Sequence, residues 1–361
     1  MWRKVRQILS FLVAVAVIVA YICFASHIAE QHRAEQKVED VVISLMDSTA
    51  LRYFTSSADI RKQLDRSRLN PAGKMVDSVD AVKISHNLAR NGFVRNTEVY
   101  ATYSGKVHIN IYQHKPVMRL LCNGYNSYVT ADGTIFKAPK GSACYLPVVT
   151  GGYRPLFAPD FEGKASDNLK SLLNEEGKKL DKLAVEYSAL LKQRGELRDR
   201  RKNLRKNRDK KLWGEGTEDY KIRKSALNKE IEECDKALLA LEQQKGKLIE
   251  RRQAIDKRKK KLQREYDDFS SLVSFVAQIG EEPFWGAEVV QMIADRNSTG
   301  EISLRLVPRS GNFVVEFGVL NDSEAKLKKL QHFYDKGLAH IGWSQYKVVD
   351  IRYDKQVICT E

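Results

Sequence analysis

Catalytic and metal-binding signatures are missing from this chain of 361 residues. Its histidines stand singly at positions 27, 32, 86, 108, 114, 332 and 340, and its five cysteines never form a C-x-x-C pair. No G-x-S-x-G, P-loop or H-E-x-x-H is present. Without a nucleophile beside a base, a glycine loop to cradle phosphate, or a His/Cys cluster at zinc spacing, the sequence points to no enzyme, no cofactor and no metal. Asp350 and Asp354 are the nearest approach to paired carboxylates. On an extended strand their i, i+4 spacing separates them by about 13 Å, too far for acid–base work on one bond, and a solvated strand face explains them. Long apolar runs are equally scarce. One spans residues 8–24, and no second follows it.

That run, ILSFLVAVAVIVAYICF, holds no charge and no proline. At about 1.5 Å per residue it covers about 25 Å, and Ala25 and Ser26 extend it toward the ~30 Å hydrocarbon layer of a bilayer. Arg3, Lys4 and Arg6 precede it, and His27 and Glu30 follow. The positive-inside bias keeps residues 1–7 in the cytoplasm, makes 8–26 a membrane helix, and sends the rest across the inner membrane. The run exceeds the roughly 7–15 residues of a signal-peptide core, so a single-pass anchor is expected.

The net charge of +15 suggests nucleic acid until its distribution is considered. Residues 165–275 contain 30 Lys/Arg and 21 Asp/Glu, a surplus carried by one helical surface, and no globular part is strongly basic. A nucleic-acid partner is therefore not expected. Cys122 and Cys144 flank a hairpin and can pair in an oxidising compartment, which spacing alone does not settle. Cys23 lies in the apolar run, Cys234 in a helical seam, and Cys359 near the end.

From Leu169 the seam positions step alternately by four and three, one set being Leu169, Glu176, Leu183, Leu190, Leu197 and Leu204 and the interleaved set Leu173, Leu180, Tyr187, Arg194 and Arg201. A second series runs through Leu227, Ile231, Cys234, Leu238, Leu241, Leu248, Ile255, Leu262, Tyr266, Phe269 and Val273. A 3.5-residue period sustained this long specifies a coiled coil. Trp213-Gly214-Glu215-Gly216-Thr217 interrupts it, and two helices joined by so short a break run antiparallel. The basic stretch 192–211 then faces 221–236, where acids are concentrated. About 45 residues per arm give a rod of roughly 65–70 Å over 165–278.

The flanks read as α+β. Residues 37–114 hold a strand at 38–45, a helix at 58–65 capped from Thr55-Ser56-Ser57, and a helix at 79–91 with Val82, Leu88 and Ala89 on its apolar face. Strands at 97–103 and 106–113 follow about Ser104-Gly105, giving β-α-α-β-β. A β-rich domain occupies 115–164 and resumes at 279–361, interrupted by the rod. Its first part has a hairpin about Ala131-Asp132-Gly133. Its second has a helix at 287–294, strands at 301–307 and 312–317, a helix at 322–338, and one terminal strand at 346–357.

The chain resembles the FtsQ/DivIB family of bacterial cell-division proteins. The resemblance rests on the layout, on VRNTEVY at 94–100 leading through VHINI at 107–111 to QHKPV at 113–117, on YVTADGT at 128–134 with LPVVTG at 146–151, and on VVDIRYD at 348–354. It covers residues 1–160 and 283–361 and looks most like Bacteroidetes-type versions; the coiled-coil hairpin lies outside the family's minimal pattern. The resemblance implies a POTRA-like domain at 37–114. It also implies a divisome scaffold at the septum that holds FtsB- and FtsL-like partners and helps control septal peptidoglycan synthesis. In that family a partner adds a strand beside the terminal strand, whose unpaired N–H and C=O groups it uses. Tyr353 and Asp354 match that strand, while Lys355 and Gln356 depart from it. The expected partner-binding set is Trp343, Tyr346, Val349, Ile351, Tyr353, Asp354, Gln356 and Val357, with Trp343 and Tyr346 as an aromatic anchor. The rod is expected to touch cell wall or protein, or to act as a spacer. A periplasmic adaptor of an efflux or secretion system also inserts a hairpin into a β domain, but with matching half-motifs on either side. The segments 148–159 and 283–294 are unlike each other.

Overall fold

The structure is a computed structural model that describes residues 13–27, 36–46, 55–102, 104–137, 145–338 and 345–361. Residues 13–27 form helix α1, the described part of the expected 8–26 segment. Its Val13, Val17, Ile18, Tyr21 and Phe24 are exposed. No described helix is long and apolar enough to cross a membrane.

The first domain has the expected order: β1 (Asp40–Leu45), α2 (Ser57–Arg66), α3 (Ala81–Leu88), β2 (Val94–Ala101) and β3 (Lys106–Gln113). Ser56 starts α2 through a capping box. Its Oγ accepts the Asp59 N–H at 3.1 Å, and the Asp59 carboxylate accepts the Ser56 N–H at 3.3 Å. Asp80 starts α3 by accepting the Lys83 N–H at 2.9 Å. Strand β3 lies centrally, parallel to β1 and antiparallel to β2. Its Val107, Ile109 and Ile111 bury against Ile60 and Leu64 of α2 and Ile84 and Leu88 of α3. The face of α3 is therefore Ile84/Leu88. Val82, expected inside, is 66% exposed, because it lies about 200° around the helix from Ile84.

The second domain is a ten-stranded sheet built from both sides of the rod: β4 (Pro116–Leu120), β5 (Ser127–Thr130), β6 (Thr134–Lys137), β7 (Val148–Thr150), β8 (Gly163–Lys164), β9 (Val289–Arg296), β10 (Ile302–Pro308), β11 (Val314–Val319), β12 (Val348–Asp350) and β13 (Ile358–Thr360). The strand order is β13-β12-β11-β10-β9-β7-β4-β5-β6-β8. The two halves join where β7 pairs parallel with β9, Val148 against Gln291 and Thr150 against Ile293. Gly151, at φ +102°, makes that approach possible, since a Cβ there would lie 2.4 Å from the Ala294 carbonyl oxygen. Residues 287–294, expected as helix, are instead the end of α6 (Pro283–Glu288) and most of β9. VVQMIADR fits both periods, and pairing on both edges, with β7 and β10, selects the strand. A wedge of Phe93, Tyr128 and Phe136 links the domains, with the His114 ring stacked on Phe136 at 5.0 Å.

The rod consists of α4 (Ala165–Asp209) and α5 (Thr217–Glu281), of 45 and 65 residues. Ion pairs fix the antiparallel register: Arg194 with Glu242 at 3.2 Å, Arg201 with Asp235 at 2.6 Å, and Arg200 with Glu230 at 3.7 Å. Leu190, Ile231 and Cys234 are buried along the seam. The unequal lengths correct the expected insertion 165–278. Beyond Leu262, α5 enters the second domain, where Phe269, Leu272, Val273, Phe275, Val276 and Ile279 are core. Phe269 meets Phe157 edge-on at 5.1 Å, and Phe275 packs on Phe317 at 4.9 Å. A helical period does not change when the partner changes from a helix to a sheet, so the sequence pattern shows no break there. Helix α7 (Ser323–Phe333) joins the same core through Leu327 and Leu330.

Candidate docking edge

The last strands of the sheet differ from the single extended segment expected at 346–357. Strand β12 spans three residues, and the chain turns before returning antiparallel as β13. Val349 and Ile351 are fully buried in the core, which holds β12 against β11. Two groups stop the strand after the last ladder bond, that of Ile351 to Glu316. Arg352 folds back onto the Asp350 carboxylate, with Nη2 at 2.6 Å and Nε at 2.9 Å, while its own N–H donates to the same carboxylate at 3.0 Å. Lys329 of α7 donates from Nζ to the Ile351 carbonyl at 2.8 Å and to the Tyr353 carbonyl. The Ile351 N–H donates to the Glu316 carbonyl at 3.1 Å. Gly318, at φ +76°, leaves room for the Arg352 stem, which a Cβ there would meet at 2.8 Å.

These contacts set the local charge. Burial raises the pKa of Asp350, but the Arg352 hydrogen bonds and the field of Lys329 outweigh it and hold the carboxyl below its usual value. Burial lowers the Lys326 ammonium, which donates to the Val319 carbonyl at 2.7 Å and to Asn321 at 2.9 Å. Lys326, Lys329 and Arg352 line a cleft of about 340 Å³ together with Asp322 and Asp354. The turn and the cleft are thus polar and carry charges of both signs, and the turn leads directly into β13.

The expected partner-binding residues divide by environment. Val349 and Ile351 face the core, correcting their place in a contact set. Tyr346 and Val357 are partly buried against the same core. Tyr353, 47% exposed, projects from the turn with the exposed Asp354 and Gln356. Trp343 lies outside the described residues, as does Cys144. Cys122 is a buried free thiol whose Sγ lies 3.4 Å from the Tyr153 carbonyl oxygen, and burial pushes it up to about 11. The expected spacing of Asp350 and Asp354 on one strand does not hold, because Asp354 is in the turn.

Strand β12 has β11 on one side and β13 on the other, so its own edge is not open. The rim is β13, whose outer side pairs with no strand among the described residues. It carries an exposed Ile358 and a half-buried Cys359. Sequence reasoning missed β13, Arg352, Lys326 and Lys329. Asp354-Lys355-Gln356 between two β-branched pairs was the available turn signal. Among the described residues, no group of three or more His, Cys, Asp or Glu is placed to hold a metal ion.

A POTRA-like domain model matches residues 36–112, the β-α-α-β-β unit. A second model, FtsQ/DivIB, C-terminal related, matches residues 251–360. That match starts inside α5 and takes in its core-facing third, strands β9 to β12, and the rim at β13. No curated protein matches the chain. Both matched families are scaffold domains. A POTRA-like unit thus stands ahead of a unit related to the FtsQ/DivIB carboxyl-terminal domain, and the two matches together support an FtsQ/DivIB-type cell-division protein.

Proposed function

We propose that this chain is a septal scaffold of the inner membrane that docks FtsB- and FtsL-type partners along the rim strand β13 and thereby helps control septal peptidoglycan synthesis. One observation carries the reading: the ten-stranded sheet ends in a short strand with an unpaired outer side, beside a turn that presents Tyr353. An incoming strand there gains backbone hydrogen bonds, and Tyr353 supplies aromatic area to the same partner. The apolar, uncovered α1 and the positive residues ahead of it support a single-pass anchor over 8–26, with the bulk of the chain periplasmic.

Capture of partners from dividing cells by the full chain tests this. Recovery of FtsB/FtsL-type proteins is expected, with Tyr353→Glu and Ile358→Asp each weakening it at least tenfold. Unchanged recovery in both variants removes docking at this edge. A fluorescent fusion spread evenly around dividing cells removes the septal role.

A further inference from the structure

The far end of the rod is a built structure. Glu215 accepts the Leu212 N–H at 3.1 Å and takes two bonds from Arg223, at 2.7 Å from Nε and 2.9 Å from Nη2. Arg223 also donates to the carbonyls of Asn207 and Lys210, both at 2.9 Å. One guanidinium thus closes the end of α4, the connecting turn and the start of α5. The Tyr220 ring lies 5.4 Å beneath it. This frame holds out Leu212, 53% exposed, and Trp213, 105% exposed, the most exposed large apolar side chain among the described residues.

The charges around that pair are uneven. Residues 205–224 contain eight Lys/Arg and four Asp/Glu. Three of the four carboxylates are already engaged: Asp209 by Arg208 at 2.8 Å, Glu215 by Arg223, and Glu218 by Lys221 at 2.8 Å. Lys210 and Lys211 directly precede Leu212, and both are exposed. Sugar recognition uses free carboxylates and amides to bond hydroxyl groups, and the engaged acids here do not supply them. A tryptophan and a leucine beside two lysines suit the interface of a bilayer, where the indole sits at headgroup level and lysine meets negative lipid charge.

We propose that the tip is a membrane contact, in which Trp213 and Leu212 enter the headgroup layer of a bilayer bearing anionic lipids while Lys210 and Lys211 lie on its charged surface. The proposal does not depend on docking at β13. So small an apolar insert binds weakly alone. It gains strength from being tethered to a chain already held at a membrane, because the second contact then forms at high effective concentration.

The test uses the full chain reconstituted into vesicles of brominated lipids, with or without phosphatidylglycerol, and reads tryptophan quenching. The difference between the native chain and Trp213→Ser isolates the tip. The expected result is quenching of Trp213 in the anionic vesicles that fades with added salt. Lys210→Gln with Lys211→Gln should lower the quenched-to-unquenched ratio about thirtyfold, with helical circular dichroism unchanged. An unquenched Trp213 emitting like indole in water overturns the proposal, as does equal quenching in purely zwitterionic vesicles. So does photo-crosslinking from position 213 to a protein alone, which assigns the tip to a protein partner.

Discussion

Helix α5 passes through two environments without a break in its backbone. Over its first two thirds it faces α4, and only Ile231, Cys234 and Leu262 are buried. Over its last third it lies on the sheet, and Phe269, Leu272, Val273, Phe275, Val276 and Ile279 are buried within one short stretch. Both parts carry a heptad-like pattern. They differ in what receives the apolar face: a single charged helix in the rod, a broad sheet with α7 in the domain. A two-helix seam covers each side chain from one direction only. A sheet and its neighbours enclose it. Periodicity therefore reports that a face is apolar, and the partner decides how much stability that face contributes.

The largest test of this contrast is deletion. Replacing residues 171–258 with a short flexible linker should leave the second domain folded, because α5 keeps its core third. Extending the deletion to 278 should abolish folding, as read by the loss of cooperative denaturant unfolding. Equal behaviour of the two would remove the distinction between rod and core. Next in size, Phe269→Ala should destabilise the second domain by about 4 kcal/mol in urea titration, since it empties a site packed against Phe157. Ile231→Ala in the rod should cost about 2 kcal/mol, the low end for such truncations, because the seam is half open. A cost equal to that of Phe269→Ala would show the rod to be as well packed as the core.

The smallest effect is at the tip. The Arg223 hydrogen bonds hold the Glu215 carboxyl down to about 2, against 4.5 when free. A carboxyl that titrates lower in the folded chain adds stability above its free value and loses it as acid is added. Protection factors of the amides of residues 212–220, that is, exchange rates divided by the intrinsic rate at each pH, should thus be highest above about pH 4.5 and fall as pH drops toward 2. Arg223→Ala should remove that pH dependence while leaving exchange at 269–279 untouched.

Much of the fold was legible beforehand. The β-α-α-β-β unit followed from the cap at Thr55-Ser56-Ser57, from the turn at Ser104-Gly105 and from the alternation of the strands on either side of it, all local signals. The hairpin followed from its period and from the paired glycines at 214 and 216. The errors lie where tertiary contacts override local pattern. Strand β9 reads as helix until β7 and β10 are placed beside it. The candidate edge was legible in its place near the terminus but not in its strand. Val349 and Ile351 alternate as an exposed strand would, yet both faces of that region are covered. What breaks the strand is a lysine from α7 and an arginine hook across Gly318, which are contacts between distant parts of the chain.

The β7–β9 pairing has a kinetic consequence. Thr150 accepts a hydrogen bond from Gln291, 141 positions away in the chain. Closing so long a flexible loop would be slow, since chain entropy must be lost before any contact rewards it. The intervening helices remove most of that loss. Their contacts form from the turn outward between near neighbours, and each added pair draws Ala165 and Tyr266 closer, until the sheet's two halves are delivered side by side. The insertion that splits the domain also assembles it.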